Sequence, residues 1–351
     1  MSFFKGKNVL ITGHTGFKGS WLTVMLLELG ANVTGYSLEH KTERDNFALA
    51  NLRDKVYHVI GDIRDTELLA STFAQRKPEI VFHLAAQPLV RYAYEYPWET
   101  YDVNVMGTLS VLENVKMASY VRELIIVTTD KCYENKEQIW GYRETDRLGG
   151  YDMYSSSKAC AELLVASYRN SFLNVDKYET HKKSVSTVRA GNVIGGGDWS
   201  DGRLIPDCIR ALEAGREIRL RCPNSVRPWQ HVLEPLSGYL LLAEKMRENP
   251  REYSGAWNFG PNADSMKTVC EAAQLVVKNY GAGSIKDISD KNAPHEAALL
   301  FLDAAKARVK LGYKTRLTLE EAIELTLDWY KGYRENDVYN ICRNQIAKYN
   351  S

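Results

Sequence analysis

Asn8-Val9-Leu10-Ile11-Thr12 runs straight into Gly13-His14-Thr15-Gly16-Phe17-Lys18-Gly19, and this junction decides the fold. The first five residues read as a short apolar strand. An amphipathic pattern from about Ser20 to Leu29 follows the glycines and stops at Gly30, where a helix would end. Asn32–Tyr36 supplies a second strand and completes a strand–loop–helix–strand unit. Glycines at such a junction let the backbone turn sharply and approach a pyrophosphate, while the helix N-terminus offers oriented N–H donors. The spacing is Gly-x-x-Gly-x-x-Gly rather than the commoner Gly-x-Gly-x-x-Gly. Lys18 within it could reach a phosphate, crowd the pyrophosphate, or lie in solvent.

Downstream, strands and helices keep alternating. Tyr57–Ile60 ends at Gly61-Asp62-Ile63, Ile80–Leu84 at Ala85-Ala86-Gln87, and Leu124–Val127 at Thr128-Thr129-Asp130-Lys131. The pattern predicts an α/β fold with a Rossmann-type, doubly wound parallel sheet, whose strand ends face ligands. Asp62 could accept from an adenine amino group or cap the next helix. Ser37 stands where an acid for the adenosine ribose is expected, with Glu39 just beyond. Lys41 and Arg44 raise the alternative of a 2′-phosphate, so these residues leave NAD and NADP open. Small residues at Ala85 and Ala86 suit either a passing cofactor or close helix packing. Leu89–Pro97, rich in tyrosine and carrying Arg91, reads as a loop over the strand ends. Asp102–Met117, with Asn104 near its start, and Tyr151–Ser171 read as helices.

Tyr154 and Lys158 are four residues apart and share one face of the second of those helices. An ammonium beside a phenol favours the phenolate and makes a usable base. Past a charged linker, Ser184–Arg189 alternates like a strand and opens into Gly191-Asn192-Val193-Ile194-Gly195-Gly196-Gly197-Asp198-Trp199. So many glycines argue against helix or strand and for a binding loop. Helices are then predicted at Leu204–Ala214, Pro235–Arg247, Met266–Tyr280, Asp303–Leu311 and Thr318–Tyr330, with short strands near Glu217–Arg221 and Arg227–Leu233. The predicted division is a dinucleotide-binding domain over 1–190, with 231–248 crossing back to it. Residues 191–230 and 249–351 form a smaller mixed α/β substrate lobe.

Composition narrows the class. In 351 residues a net charge of +1 gives no broad surface for nucleic acid or membrane. The six cysteines are scattered, with no spacing for a metal site, which suits a reducing compartment. The first residues lack a signal-peptide h-region, and no apolar run reaches membrane-spanning length. A cytoplasmic enzyme is the expectation.

Taken together, the Gly13–Gly19 loop, Asp62-Ile63, Leu84-Ala85-Ala86, Asn104-Val-Met-Gly107, Tyr154/Lys158, Arg189-Ala-Gly-Asn192 and Arg227-Pro-Trp-Gln-His-Val resemble the extended short-chain dehydrogenase/reductase superfamily. The resemblance covers nearly the whole chain. Thr129-Asp130 is similar to its nucleotide-sugar 4,6-dehydratases, most of which continue with glutamate where this chain has Lys131. Thr-Thr-Asp-Lys-Cys-Tyr-Glu-Asn, Gly-His-Thr-Gly-Phe-Lys-Gly-Ser-Trp and Gly-Gly-Gly-Asp-Trp resemble the CDP-glucose 4,6-dehydratase family.

That resemblance implies the lyase reaction CDP-D-glucose to CDP-4-dehydro-6-deoxy-D-glucose plus water, with tightly held NAD, in deoxysugar biosynthesis for bacterial surface polysaccharide such as O-antigen. It implies catalytic roles for Thr129, Asp130, Lys131, Tyr154 and Lys158. It places the cofactor on Gly13, His14, Thr15, Gly16, Phe17, Lys18, Gly19, Asp62, Ile63, Leu84, Ala85, Ala86, Asn104, Tyr154 and Lys158. It places the nucleotide sugar on Gln87, Arg91, Thr129, Asn192, Trp199 and Arg227. Trp199, Tyr92 and Trp229 are candidate platforms for base or sugar, or core aromatics. Lys131 is open between a neutral C5 base, a cation stabilising an enolate and a solvent-facing lysine with no role. The family's helix pair implies a homodimer or a larger oligomer. Another nucleotide-sugar dehydratase or a 4-epimerase, acting on a dTDP-, UDP- or GDP-sugar, is the alternative.

Overall fold

The computed structural model describes residues 3–290 and 297–351. Seven strands form a parallel central sheet: β1 Asn8–Thr12, β2 Asn32–Ser37, β3 Tyr57–Ile60, β4 Ile80–His83, β5 Glu123–Val127, β6 Ser184–Arg189 and β7 Gly255–Asn258. Their order across the sheet is β7-β6-β5-β4-β1-β2-β3, and every neighbouring pair is parallel. Every residue of β4, β5 and β6 is buried, as strands covered on both faces must be. Alternate side chains of β1 enter opposite layers. Val9 and Ile11 join the core under α1 (Phe17–Glu28), and Leu10 the core under α2 (Thr66–Arg76) and α3 (Gly107–Met117).

α4 (Met153–Ser171) starts where the Asp152 carboxylate accepts from Ser155 N at 2.9 Å, two residues later than predicted. α1 starts at Phe17, earlier than predicted, because the glycine loop is itself its N-terminus. The tyrosine-rich stretch read as a loop is helical. Val90–Glu95 and Pro97–Tyr101 form two short helices, the second entered through Pro97 at its first position. A π turn at Asp102–Met106 carries the latter into α3.

Corrections concentrate in the second half of the chain. Val193–Ile194 in the glycine-rich loop does form a strand, paired in parallel with Gln230–His231. Met266–Thr268 is not helical but pairs antiparallel with Val226–Pro228; Thr268 then caps the helix Val269–Tyr280 through a reciprocal bond with Glu271. β7 and a closing helix, Val338–Asn350, were not anticipated. β7 extends the main sheet, and the closing helix packs on α1. Leu233–Glu248 packs on β5.

Candidate active site

Strand order reverses between β1 and β4, so a crevice lies beyond their carboxyl ends. Gly13 follows β1 at φ +77°, and a Cβ there would stand 2.6 Å from the Ala85 nitrogen. The loops after β1 and β4 therefore touch, which only glycine permits. Gly16 leads into α1 with no side-chain cap, and no acidic residue stands in the first turn. The helix thus begins with unclaimed N–H donors and no competing anion. This cradle fits the pyrophosphate of a dinucleotide.

The other loop side chains face away from the crevice. The Thr15 hydroxyl bonds Ser37 Oγ at 2.8 Å and donates to Leu38 O at 3.0 Å. His14 is fully buried, bonded to His58 at 2.7 Å and set edge-on to Phe47. Burial, then the nearby His58, pulls its pKa down to about 3. Both residues offer a ligand their backbone only. Lys18 points the other way. It is half-buried, feels Arg203, Asp130, Lys158 and Asp198, and burial pulls its pKa down to about 8.

At the adenosine end, Asp65 rather than Asp62 caps α2. The Asp62 carboxylate accepts three bonds from Arg64, at 2.9, 2.9 and 2.7 Å, which hold its pKa low. Ile63 is buried against Gly107. Glu39 pairs with Arg53 and His40. Arg44 is committed elsewhere, to Glu213 at 2.6 Å and over the Trp199 ring at 3.6 Å. An acid beyond β2 and a diverted arginine fit an unphosphorylated ribose better than a 2′-phosphate.

Beyond β5, Thr129 caps a short turn, Asp130–Cys132, and its hydroxyl donates to Asp130 Oδ1 at 2.9 Å. Asp130 is buried, and its Oδ2 has no hydrogen-bond partner among the described residues. That oxygen lies over Gly191, where an added Cβ would stand 1.9 Å away. Asn192 then turns the chain at φ +45°, a conformation asparagine tolerates. Lys131 is half-exposed, with its N–H on the Thr129 hydroxyl at 3.3 Å.

The Tyr154 phenol is buried, which pushes its pKa up to about 12; the Thr129 hydroxyl and the Arg203 charge oppose the rise, while Asp130 adds to it. Lys158 donates to Val127 O at 3.2 Å, and burial pulls its pKa down to about 8. The cation acting on the phenol is Arg203, which sequence reading missed, where Lys158 was the expected one. Arg203 sits at the N-cap of Leu204–Glu213 and donates to buried Asp198 at 2.8 Å. An arginine five residues past the acid of the glycine-rich loop was the available signal.

Several predicted ligand contacts are already occupied. The Gln87 amide donates to Thr100 and accepts from Leu89 N, so it braces its own loop rather than lying open to substrate. Asn104 bonds Gln87 N and O and Ser157 Oγ, tying that loop to α4. Trp199 is no platform in the crevice. Arg44 covers its ring, Tyr330 and Tyr333 press against it, and its Nε1 donates to Arg44 O at 2.6 Å. Trp229 is buried and donates to Lys267 O, and Tyr92 donates to Glu99. Arg227 is buried on its strand and donates to Val226 O at 2.9 Å. Arg91 is exposed on its short helix. Arg189, at the end of β6, forms a buried ion pair with Glu162 at 2.7 Å.

The fold and this crevice define a nucleotide-sugar enzyme of Rossmann type: residues 10–326 match the family described as GDP-mannose 4,6 dehydratase, and the chain belongs to that family. A CDP-glucose 4,6-dehydratase of Salmonella typhimurium is 47% identical over 351 residues, 100% of this chain and 98% of the relative. A mouse dTDP-D-glucose 4,6-dehydratase is 28% identical, with 93% and 89% covered. Among solved structures, dTDP-glucose 4,6-dehydratase from Bacillus anthracis in complex with NAD superposes with a TM-score of 0.79 at 23% identity, covering 94% of this chain and 98% of that one. UDP-glucose 4-epimerase from Thermus thermophilus, also with NAD, gives 0.79 at 24% identity, covering 92% and 99%. At that identity the two structures speak for the fold alone.

Proposed function

We propose that the protein is a CDP-D-glucose 4,6-dehydratase, a hydro-lyase that converts CDP-D-glucose to CDP-4-dehydro-6-deoxy-D-glucose and water with bound NAD. The observation that carries the reading is full-length identity of 47% to a CDP-glucose 4,6-dehydratase. The buried, unpartnered Asp130 Oδ2 beside Tyr154 supports it chemically. A 4-epimerase needs no proton donor at C6, whereas an elimination does, so the alternative fits less well.

Bound NAD would lie on the Gly13–Gly19 cradle and beside Ala85, where it would supply a reversible hydride acceptor. On this reading Tyr154 takes the proton of the sugar 4-hydroxyl. Thr129, within reach of both the phenol and Asp130, steadies the oxygen as it becomes a ketone. The ketone acidifies the C5 proton, and Asp130 protonates the departing C6 hydroxyl. Lys131 stands where the enolate forms, as C5 base or as the cation that holds the enolate charge. Lys18, Lys158 and Arg203 make the crevice cationic, which suits two diphosphates in one cleft. Arg227 and Asn192 are proposed for the diphosphate of the sugar nucleotide.

Purified protein with NAD and CDP-glucose should give a nucleotide sugar lighter by one water in mass spectrometry, while dTDP-glucose, UDP-glucose and GDP-mannose stay unchanged. Water lost only from another sugar would overturn the substrate and keep the chemistry. An unchanged mass with all four would reject dehydration.

Dimerisation is proposed through the Pro97–Met117 helices and α4, which leave Trp98, Met106, Met117 and Leu163 exposed. Large apolar residues left exposed on a helix pair mark a candidate interface. A monomeric mass by light scattering at micromolar concentration would reject it. Among the described residues no helix is long and apolar enough to cross a membrane. A cytoplasmic place and a role in surface-polysaccharide sugar supply complete the proposal.

A further inference from the structure

One buried carboxylate joins both halves of the site without touching the crevice. Glu162 lies one turn beyond Lys158 on the same face of α4. Its Oε1 accepts from Thr128 Oγ1 at 2.5 Å and Arg189 Nε at 2.9 Å. Its Oε2 accepts from Thr187 Oγ1 and Arg189 Nη2, both at 2.7 Å. Four donors fill the lone-pair directions of one carboxylate, and the guanidinium binds it as a two-pronged fork. Arg189 is fixed in turn by the Tyr133 hydroxyl at 2.5 Å, and that hydroxyl by Asn258 Oδ1 at 2.8 Å. The network therefore spans α4, β5, β6 and β7. Thr128 immediately precedes Thr129 and Asp130, so the same carboxylate holds the helix of Tyr154 and Lys158 and the segment of Thr129 and Asp130.

We propose that Glu162, clamped by Arg189, Thr128 and Thr187, is a positioning residue for the Tyr154–Lys158 pair: it sets the register of α4 against the end of β5 and holds its own carboxylate one helical turn from Lys158. This rests on the reading of Tyr154 and Lys158 as the proton-transfer pair. A purely structural ion pair in this place would be a weak stabiliser, because burying two charges costs about what their attraction returns. The geometry serves alignment instead. With every acceptor site on Glu162 filled, Lys158 keeps its own bond to Val127 O at 3.2 Å and feels Glu162 through space.

The charges around Lys158 set the sign of the expected shift. Glu162 on its own helix favours the ammonium; Cys132 after β5 would do so only as a thiolate, and burial pushes that thiol well up. Burial opposes it. Lys158 in turn acts against protonation of Lys18 on α1 and His83 on β4, so those two cations would oppose it if charged. Arg189 on β6 stands behind Glu162. Removing the Glu162 charge leaves Arg189 uncompensated, and Lys158 gives up its proton at a lower pH. Activity that needs the ammonium is lost as pH rises through the Lys158 pKa, so the alkaline limb must move down.

The experiment is a pH profile of kcat/KM with NAD-saturated enzyme, read with melting temperature, on Glu162→Gln and Thr128→Val. Glu162→Gln should move the alkaline limb down by about one pH unit. Thr128→Val keeps both charges and removes the hydroxyl's bonds to Glu162 and to Val188 O beside Thr129, so kcat should fall about tenfold with KM and the limb unmoved. A role in stability alone lowers the melting temperature and leaves limb and kcat per folded enzyme at wild-type values; that outcome overturns the proposal. If Glu162→Gln does not accumulate as folded protein, Thr128→Val decides by itself, and a wild-type kcat overturns it. Failure of the underlying reading shows separately, as turnover surviving in Tyr154→Phe.

Discussion

Tyr154→Phe should lower dehydration of CDP-glucose by roughly 10³-fold or more and leave folding and NAD binding intact. The size follows from the chemistry. A positioned acid or base contributes roughly 10²–10⁴-fold, and the phenol oxygen is here the proposed acceptor for the 4-hydroxyl proton. A thousandfold loss is about 4 kcal/mol of transition-state stabilisation. The structural cost is far smaller. Phenylalanine fills the same buried volume, and only the contact with the Thr129 hydroxyl is lost, about 1 kcal/mol. Product formation by mass spectrometry, NAD affinity by fluorescence and the melting temperature separate the two effects. Turnover within tenfold of wild type would reject Tyr154 as the base. The phenol's high resting pKa, about 12, means it must be helped to ionise. Thr129 and Arg203 are the groups beside it that favour the anion, so a residue outside the predicted set shares that task.

Six of the seven strands of the central sheet were legible, β1, β4 and β5 most plainly, because each of those three is a short, mostly apolar run closed by glycine or small residues. The glycine loop was legible as a cradle because Gly13 must touch the loop after β4. What the pattern could not give was direction. His14, Thr15 and Lys18 sit within five residues of one another, yet the first two turn into the core and the third turns to Asp130 and Lys158. Spacing in a loop carries no period that assigns faces. β7 escaped because Gly255-Ala-Trp-Asn258 is short and half polar, and its place in the sheet is set by pairing with β6, not by local propensity. Trp199 shows the same limit from another side. An aromatic beside glycines looks like a platform until Arg44, 155 residues away in sequence, is seen to bond and cover it. Glu162 is the sharpest case. In sequence it is one more charge on a helix, and only the fold brings two threonines and an arginine onto its oxygens.

Asp130→Asn is expected to split the reaction. The substitution is isosteric, and Asp130 Oδ2 has no partner to lose among the described residues. The Thr129 hydroxyl can still donate to the amide oxygen, as it does to Oδ1 at 2.9 Å. What disappears is the proposed general acid for the C6 hydroxyl, because an amide cannot fill that role. Elimination should fall by roughly 10²–10³-fold. Oxidation at C4 depends on Tyr154 and not on Asp130, so it should survive. Mass spectrometry of sugar released from the quenched enzyme should then find material lighter by two hydrogens, at most one equivalent per subunit, in place of material lighter by water. Wild-type dehydration in Asp130→Asn would move the acid elsewhere, and the half-exposed Lys131 would be the next group to test. Loss of both oxidation and elimination would mean that Asp130 chiefly orders Thr129 and the phenol. The close approach of Oδ2 to Gly191 favours the split outcome, because the carboxylate is held by the shape of the glycine-rich loop as well as by Thr129. With the side chain so confined, exchanging one oxygen for nitrogen changes its chemistry more than its position.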